Sequence, residues 1–275
     1  MNYKEREKLI AHSIFLIGVV LVLYPFISIL FLAVSEPGTR VSGFTIPNAI
    51  YFDNFIQAWT KGAMGVGLYN SLIVVVFVVV LSIIFAILAA YSFENLKVYG
   101  SNLIFGILLI GLVLPYESIV ISYYYSMKSL NLVNTHLSLI LPQIGLSIPF
   151  SIFWLRSSFR SIPKSLSEAA MIEGAGRITI LYKILLPQMT PAILTLAVLL
   201  FMWTWNEFLL ALIMIQDEEM RTAPLALSYF AGNKRYGDPA ITAAAAIWVA
   251  IPVLILYIFL QRKFISGMVT GANKE

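Results

Sequence analysis

The sequence predicts an all-α membrane protein with six transmembrane helices and a short cytoplasmic helix between the fourth and the fifth. Three observations predict this class. Hydrophobic residues make up 60% of the 275 residues and charged residues only 12%. The mean hydropathy is +0.87, and long uncharged runs recur along the chain. A chain of this composition is better solvated by lipid than by water.

A helix needs about 20 apolar residues to cross a hydrocarbon core of about 30 Å. Closed β-barrels are the alternative, but their strands alternate apolar and polar residues. The run 73–88 is apolar on every face, which favours helices. Six runs of sufficient length are predicted to span the membrane: 12–34, 68–93, 103–125, 137–155, 186–215 and 241–260.

The first run follows Lys4, Arg6 and Lys8 and could be mistaken for a secretory signal. It exceeds the usual 7 to 15 apolar residues and meets no small-residue cleavage pattern before Ser35, so we predict an uncleaved span. Cysteine is absent and there are only two histidines, which lie far apart in the sequence. No metal site is therefore expected.

Six spans place both termini on one side of the membrane, and the distribution of Lys and Arg selects that side. Twelve of the 18 basic residues fall on the side that holds the termini. The termini are therefore predicted to be cytoplasmic. The six basic residues on the opposite side of the membrane are Arg40, Lys61, Lys128, Arg221, Lys234 and Arg235. The basic residues form no single patch, so a nucleic-acid partner is not expected.

The cytoplasmic segment 163–185 between the fourth and fifth spans is long enough to carry function. Ser165 and Glu168 have the spacing of a capping box at a helix start, and Gly174 offers the backbone freedom that ends a helix. Ala169 and Ala170 are small enough for this helix to seat closely in a groove of another protein. The residues alone leave open a helix that rests on the membrane surface or on its own bundle.

The same segment resembles the Glu-Ala-Ala motif of bacterial binding-protein-dependent ATP-binding-cassette (ABC) importers. That motif reads Glu-Ala-Ala, three residues, Gly, nine residues, Ile-x-Leu-Pro. The resemblance implies a coupling helix that inserts into a cleft of a separate ATPase. The matching residues are Glu168, Ala169, Ala170, Gly174, Ile184, Leu186 and Pro187.

Family membership would assign a role to each part of this motif. Glu168 would be the polar anchor, Ala169 and Ala170 the close-packing face, and Gly174 the turn. ATP and Mg²⁺ would bind to the partner ATPase dimer, and this chain would bind no cofactor and catalyse no reaction. Movement of the ATPases would drive the spans by alternating access.

A further resemblance covers most of the chain. The order of a short tail, six spans and a closing run 267–272 is similar to the smaller permease subunit of maltose-type carbohydrate importers. It implies one permease domain over 1–275, a second permease subunit, and an external solute-binding protein that delivers a carbohydrate. The external loop 216–240 corresponds to one that touches the binding protein, so Asn233, Lys234 and Arg235 are expected contacts.

Polar residues inside spans are costly and usually face the bundle or a water-filled path. Glu117, Asn206 and Glu207 are the conspicuous ones, and Trp203 and Trp205 beside them could stack on sugar rings. These five residues are the predicted translocation path. The alternative is that the tryptophans only anchor or pack the helices, because Trp favours membrane boundaries.

Other function classes fit less well. The chain has no phosphate-binding Gly-x-x-x-x-Gly-Lys-Ser/Thr loop, so the ATPase must be another chain. An ion-coupled secondary transporter would ordinarily show internal repeats and dedicated carboxylates within the membrane. An intramembrane enzyme would need a His-Glu-x-x-His helix or a Gly-x-Ser-x-Gly turn, and neither occurs. A permease for polyols or glycerol phosphates remains the alternative to a carbohydrate permease.

Overall fold

The computed structural model describes residues 3–39, 43–44, 46–96, 99–232 and 237–272, with only the backbone described at 3–6, 9 and 260–272. Helices account for the regular structure of this described part, and it contains no strand. The chain divides into two compact units. The first comprises Met1–Gly65 and Ala226–Pro252, and the second comprises Val66–Leu225 and Val253–Glu275.

The α-helices are numbered along the chain. They are α1 (Tyr3–Ala33), α2 (Asp53–Lys61), α3 (Met64–Asn95), α4 (Ser101–Val113), α5 (Tyr116–Ser129), α6 (His136–Arg160), α7 (Lys164–Ile172), α8 (Arg177–Thr179), α9 (Leu186–Trp205), α10 (Leu209–Met214), α11 (Ala223–Gly232) and α12 (Pro239–Ala272). A π-helical stretch, Ile180–Leu185, joins α8 to α9, and a 3₁₀ turn, Glu218–Met220, follows α10.

In the first unit, small residues allow close helix packing. Ala243, Ala244 and Ala245 are buried on α12. Gly65 lies against the indole of Trp59, where an added Cβ would be only 2.8 Å from a ring carbon. Buried Asn54 donates its side-chain amide to the carbonyl oxygens of Ala33 and Ser35, at 3.0 and 2.8 Å. These bonds satisfy the Ala33 carbonyl, which the end of α1 leaves without a helical partner, and the Ser35 carbonyl in the turn that follows.

In the second unit, α6 packs against α4, α9 and α10. Half of the residues in its most apolar 18-residue stretch are buried, whereas the corresponding stretch of α1 has no buried residue. Both prolines inside α6, Pro142 and Pro149, are buried. Pro149 packs against Gly111 of α4, where an added Cβ would lie 3.2 Å from the proline ring. The absence of a side chain at Gly111 therefore permits this close helix crossing.

Among the described residues, five helices are long and apolar enough to cross a membrane. A sixth span results if α4 and α5 are counted together, but these two helices are bent by 100° at a short break. Pro115 lies at that break and has no backbone N–H, so a continuous helix would lose a hydrogen bond there. The third predicted span, 103–125, is thus broken rather than straight.

The fifth predicted span also differs from the structure. Its helix begins earlier, because α8, the π-helical stretch and α9 form one helical segment, Arg177–Trp205. It ends at Trp205, and residues 206–208 separate it from the short helix α10. The predicted start at 186 agrees with the first residue of α9, whereas the predicted continuation to 215 is interrupted after Trp205.

Candidate functional site

Helix α7 occupies the segment that carries the Glu-Ala-Ala motif. Pro163 precedes its first residue, Lys164, in an extended conformation with φ of −59°. No side chain caps this helix start, so the predicted capping box of Ser165 and Glu168 is not formed. The N-cap position is Pro163, two residues before the predicted capping residue Ser165. The fixed φ of proline favours a helix start here without a serine cap.

The other end of α7 is a Schellman turn. The Gly174 N–H donates to the carbonyl of Met171 at 3.1 Å, and the Ala175 N–H donates to the carbonyl of Ala170 at 2.9 Å. Gly174 has a φ of +85°, a conformation that side chains disfavour. The predicted helix end at Gly174 is confirmed.

The two motif alanines face different surroundings. Ala170 is buried, 7% exposed, and belongs to a cluster with Ala86 and Ala90 of α3 and Leu185 of the π-helical stretch. Ala169 is exposed. The prediction that both alanines form one outward close-packing face is therefore wrong for Ala170, which seats α7 on its own chain.

The outward surface of the C-terminal half of α7 is mostly apolar. Met171 is 55% exposed and Ile172 is 88% exposed. Glu168 and Ala169 are exposed beside them. Exposed apolar side chains grouped on a segment outside the spans are typical of an interaction surface. We call Glu168, Ala169, Met171 and Ile172 the outer face of α7.

The last motif residues lie in the helix that leads into the fifth span. Ile184 and Leu186 are partly buried, and Pro187 is exposed within the first turn of α9. Tyr91 of α3 donates its hydroxyl to the carbonyl of Arg177 at 3.1 Å, which fixes the start of this helix. Ile184, Leu186 and Pro187 therefore lie in the helix that leads into the fifth span and not on the outer face of α7.

A cluster of charged residues that sequence reasoning missed lies behind α7. Glu94, near the end of α3, accepts hydrogen bonds from Arg156 and Arg160 of α6 at 3.2 and 2.9 Å. From the sequence, both arginines were counted only among the twelve basic residues on the side of the termini. Their four-residue spacing at the end of a predicted span, facing an acid at the end of another span, could have indicated the cluster.

An open cavity of 510 Å³ separates the end of α3 from α7 and α8. Tyr91 and Asn95 line it from α3, Ser167 and Met171 from α7, and Arg177 from α8. The side of α7 that bears Ser167 is therefore not fully packed on the rest of its unit, and Met171 lies at the border between this side and the outer face. Contact through Ala170 holds the helix, while space remains beside it.

Two predicted path residues lie at the break between α9 and α10. Glu207 accepts a hydrogen bond from the Tyr116 hydroxyl at 2.9 Å and another from the Leu210 N–H at 2.7 Å, both through Oε1. Asn206 is exposed and donates its side-chain amide to the Met202 carbonyl at 2.7 Å. Glu207 therefore joins two helix breaks, one before α5 and one before α10.

The other predicted path residues divide into exposed and buried groups. Glu117, in the first turn of α5, is exposed and adjoins Tyr116 in sequence. Trp203 is 50% exposed, whereas Trp205 is only 1% exposed and stacks on Phe201 with ring centroids 5.5 Å apart. In this conformation, Trp205 is a core residue and its ring does not line an open path. Asn233, Lys234 and Arg235 lie outside the described residues.

Comparison with protein families gives one match that covers most of the chain. Residues 82–269 match the family described as "Binding-protein-dependent transport system inner membrane component". The chain belongs to this family. The predicted resemblance to ABC importer permeases is confirmed, and the chain is a multi-pass membrane protein of a transport system.

Curated relatives extend the similarity to nearly the full length. The sulfoquinovosyl glycerol transport system permease protein SmoH of Agrobacterium fabrum is 34% identical over 97% of this chain and 93% of its own length. The diacetylchitobiose uptake system permease protein NgcG of Streptomyces coelicolor is 30% identical over 97% of this chain and 89% of its own length. Family membership favours the importer over an ion-coupled secondary transporter.

A solved structure matches the fold. It is one chain of a bacterial ABC transporter involved in the import of the acidic polysaccharide alginate, with a TM-score of 0.82. The match covers 96% of this chain and 99% of that one, at 24% sequence identity. The all-α permease fold predicted from the sequence is confirmed.

Proposed function

We propose that the chain is one permease subunit of an ATP-driven carbohydrate importer in the bacterial cytoplasmic membrane. Both termini lie in the cytoplasm, and a second, different permease subunit completes the pore. A cytoplasmic ATPase dimer binds ATP and Mg²⁺, and an external binding protein delivers the solute. This chain carries no catalytic residue, because its task is to hold and reorient the path.

One observation carries the proposal: α7 presents an apolar outer face while its inner residue, Ala170, fixes it to the second unit. A surface helix anchored in this way transmits a push from a protein that grips its outer face. Glu168 supplies the polar contact and Ala169 allows close approach. The Schellman turn at Gly174 sets the direction in which the chain leaves the helix.

A carbohydrate is the solute class that the relatives favour. SmoH is named for sulfoquinovosyl glycerol and NgcG for diacetylchitobiose, and both names describe glycosides. We propose a disaccharide or oligosaccharide for this chain. Such solutes combine many hydroxyl groups with apolar ring faces, which suit a path of carboxylate, amide and aromatic side chains.

The paired helix breaks are the part of the path that this chain contributes. Non-helical backbone at membrane depth is tolerated where it is covered by protein or lines a water-filled cavity, and not where it faces lipid. Leu114, beside the first break, is 53% exposed, and Asn206 at the second is also exposed. We therefore assign these breaks, with Glu117 and Glu207, to the solute path or to the interface between this chain and the second permease subunit.

Affinity purification of the tagged chain in mild detergent tests the assembly. We expect a second permease subunit and a cytoplasmic ATPase to copurify, and Glu168→Ala to release the ATPase while the second permease remains. Glu218→Ala is the matched control, because Glu218 is an exposed acid in the 3₁₀ turn and not on α7. Recovery of the chain without any ATPase, under conditions that preserve such complexes, would overturn the proposal.

Reconstitution of the purified complex with its binding protein tests the solute class. We expect ATP-dependent accumulation of a labelled disaccharide or oligosaccharide in proteoliposomes. Accumulation of a polyol or glycerol phosphate instead would replace the solute while leaving the importer in place. Uptake driven by an ion gradient without ATP would contradict both.

A further inference from the structure

The cluster of Glu94, Arg156 and Arg160 joins two helices through a single carboxylate oxygen. The Nε atoms of both arginines donate to Oε2 of Glu94. The arginines are four residues apart and so occupy the same face of α6. Glu94 therefore holds the end of α3 against the last turn of α6 at two points.

Arg156 extends this link to a third helix. Its guanidinium carbon lies 4.2 Å from the centre of the Phe105 ring on α4, and its Nη2 lies 3.5 Å from Oδ1 of Asn102. The same group lies 5.8 Å from the Phe93 ring of α3. A planar cation between two rings is attracted to their faces. One guanidinium thus contacts α3 and α4 while belonging to α6.

The burial of Arg156 makes Glu94 necessary. The side chain of Arg156 is only 7% exposed and that of Glu94 is 15% exposed, whereas that of Arg160 is 60% exposed. A buried cation is stable when a carboxylate offsets its desolvation. Among the described residues, Glu94 is the acidic group paired with Arg156. Loss of this carboxylate leaves a buried charge without compensation.

The cluster lies next to α7. Arg160 ends α6 and is followed within four residues by Lys164, where α7 begins. A small cavity of 40 Å³ is lined by Glu94 and Arg160 on one side and by Lys164 and Ser167 of α7 on the other. The charged cluster is therefore a second place, besides the packing of Ala170 near Ala86 and Ala90 of α3, at which α7 adjoins the rest of its unit.

We infer that Glu94 is a positioning residue that makes the ends of α3 and α4 move with α6 when the ATPase displaces α7. This inference rests on the proposed function of α7 and assigns the route by which its movement reaches the spans. With the link intact, the three helix ends move together. Without it, only apolar packing couples α3 to α6 and α7, so the ends of α3 and α4 lag and ATP is hydrolysed with little solute movement.

The measurement is the amount of solute imported per ATP hydrolysed by the reconstituted full complex, normalised to the amount of assembled complex. We expect Glu94→Gln to lower this ratio at least tenfold while the ATPase still copurifies. Glu36→Gln, an exposed acid outside both the cluster and the spans, is the matched control and should keep the normal ratio. An unchanged ratio in Glu94→Gln would overturn the inference.

A double variant separates positioning from stability. Arg156→Met with Glu94→Gln removes both buried charges, so thermal unfolding of the complex should return towards that of the unmodified chain. The ratio is expected to stay low, because no charged link then joins α3 to α6. A normal ratio in the double variant would mean that the cluster is purely structural, and the inference would fail.

The unmodified complex distinguishes this inference from the proposed function. If it shows no ATP-dependent import, the proposed function fails and the inference about Glu94 fails with it. If it imports solute with ATP and the Glu94 variants keep the normal ratio, only the assigned route fails. Arg160→Gln should lower the ratio less than Glu94→Gln, because Arg160 is largely exposed and Arg156 remains paired.

Discussion

Helix α7 and the junction of α5, α9 and α10 both interrupt the sequence of spans, but different interactions hold them. The end of α7 is fixed by backbone hydrogen bonds between residues three and five positions apart. The junction depends on Glu207 and Tyr116, which are 91 positions apart. Substitutions on the outer face of α7 should therefore leave its local turn intact. Removal of the Glu207 carboxylate, in contrast, should disrupt the junction, because both of its hydrogen bonds end on that group.

The largest expected effect comes from breaking the local turn itself. Gly174→Val forces a β-branched residue into a left-handed conformation, at a cost of about 1–3 kcal/mol, and the turn should rearrange. We expect ATP-coupled uptake to fall more than tenfold while the chain remains in the membrane. Gly176→Val is the control, because Gly176 has a φ of −72° and an added Cβ meets open space there. Equal uptake by the two variants would contradict the role of the turn.

The two motif alanines offer a sharper test of α7. Ala170→Leu overfills a buried site and should destabilise the complex by about 1–3 kcal/mol, measured by thermal unfolding in detergent. Ala169→Leu should leave unfolding unchanged but reduce copurification of the ATPase several-fold, because the exposed side chain blocks close approach. The same loss of ATPase from both variants, without a difference in unfolding, would contradict the division into inner and outer faces.

At the junction, removal of the carboxylate should cost more than removal of its donor. Glu207→Ala leaves the Tyr116 hydroxyl and the Leu210 N–H without their acceptor, at about 1–3 kcal/mol for each buried group. Tyr116→Phe removes one hydrogen bond, worth about 1 kcal/mol. Uptake should fall several-fold in the first variant and less in the second. Ser118→Ala, an exposed change on α5, serves as control; a larger effect from Tyr116→Phe than from Glu207→Ala would argue against Glu207 as the organising group.

The smallest effect on transport is expected from cysteine substitutions that test orientation. The chain has no cysteine, and Tyr99 and Leu130 are 100% and 60% exposed in turns at opposite ends of α4 and α5. An impermeant thiol reagent added outside intact cells should label Leu130→Cys and spare Tyr99→Cys, with normal uptake in both. The reverse labelling pattern would place α7 on the external side and remove the basis for ATPase docking.

Local features of the fold were predictable from the sequence. The apolar runs identified the long helices, and Gly174 identified the end of α7, because each depends on neighbouring residues. The breaks at Pro115 and Asn206 were harder to predict, because a proline in a span can also produce only a kink. The break before α10 is held by a side chain from a distant helix, and no local pattern indicates such a partner.

The candidate site was predictable in position but not in orientation. The motif gave the position of α7, yet two adjacent alanines could not reveal which one faces the chain's own core. Trp205 was assigned to the path from its neighbours, but packing on Phe201 makes it a core residue. Glu94 was missed because its two partners lie 62 and 66 positions later in the sequence.

The π-helical stretch Ile180–Leu185 has a consequence for how this family can evolve. Its hydrogen bonds run to the fifth residue instead of the fourth, so it holds more residues per turn than the α-helix on either side. Loss of one residue here would convert the stretch to α-helix while Gly174 keeps its turn and Pro187 keeps its place in α9. The spacing of nine residues between Gly174 and Ile184 therefore includes the extra residue of this stretch, and a one-residue deletion within it is expected to preserve both anchors.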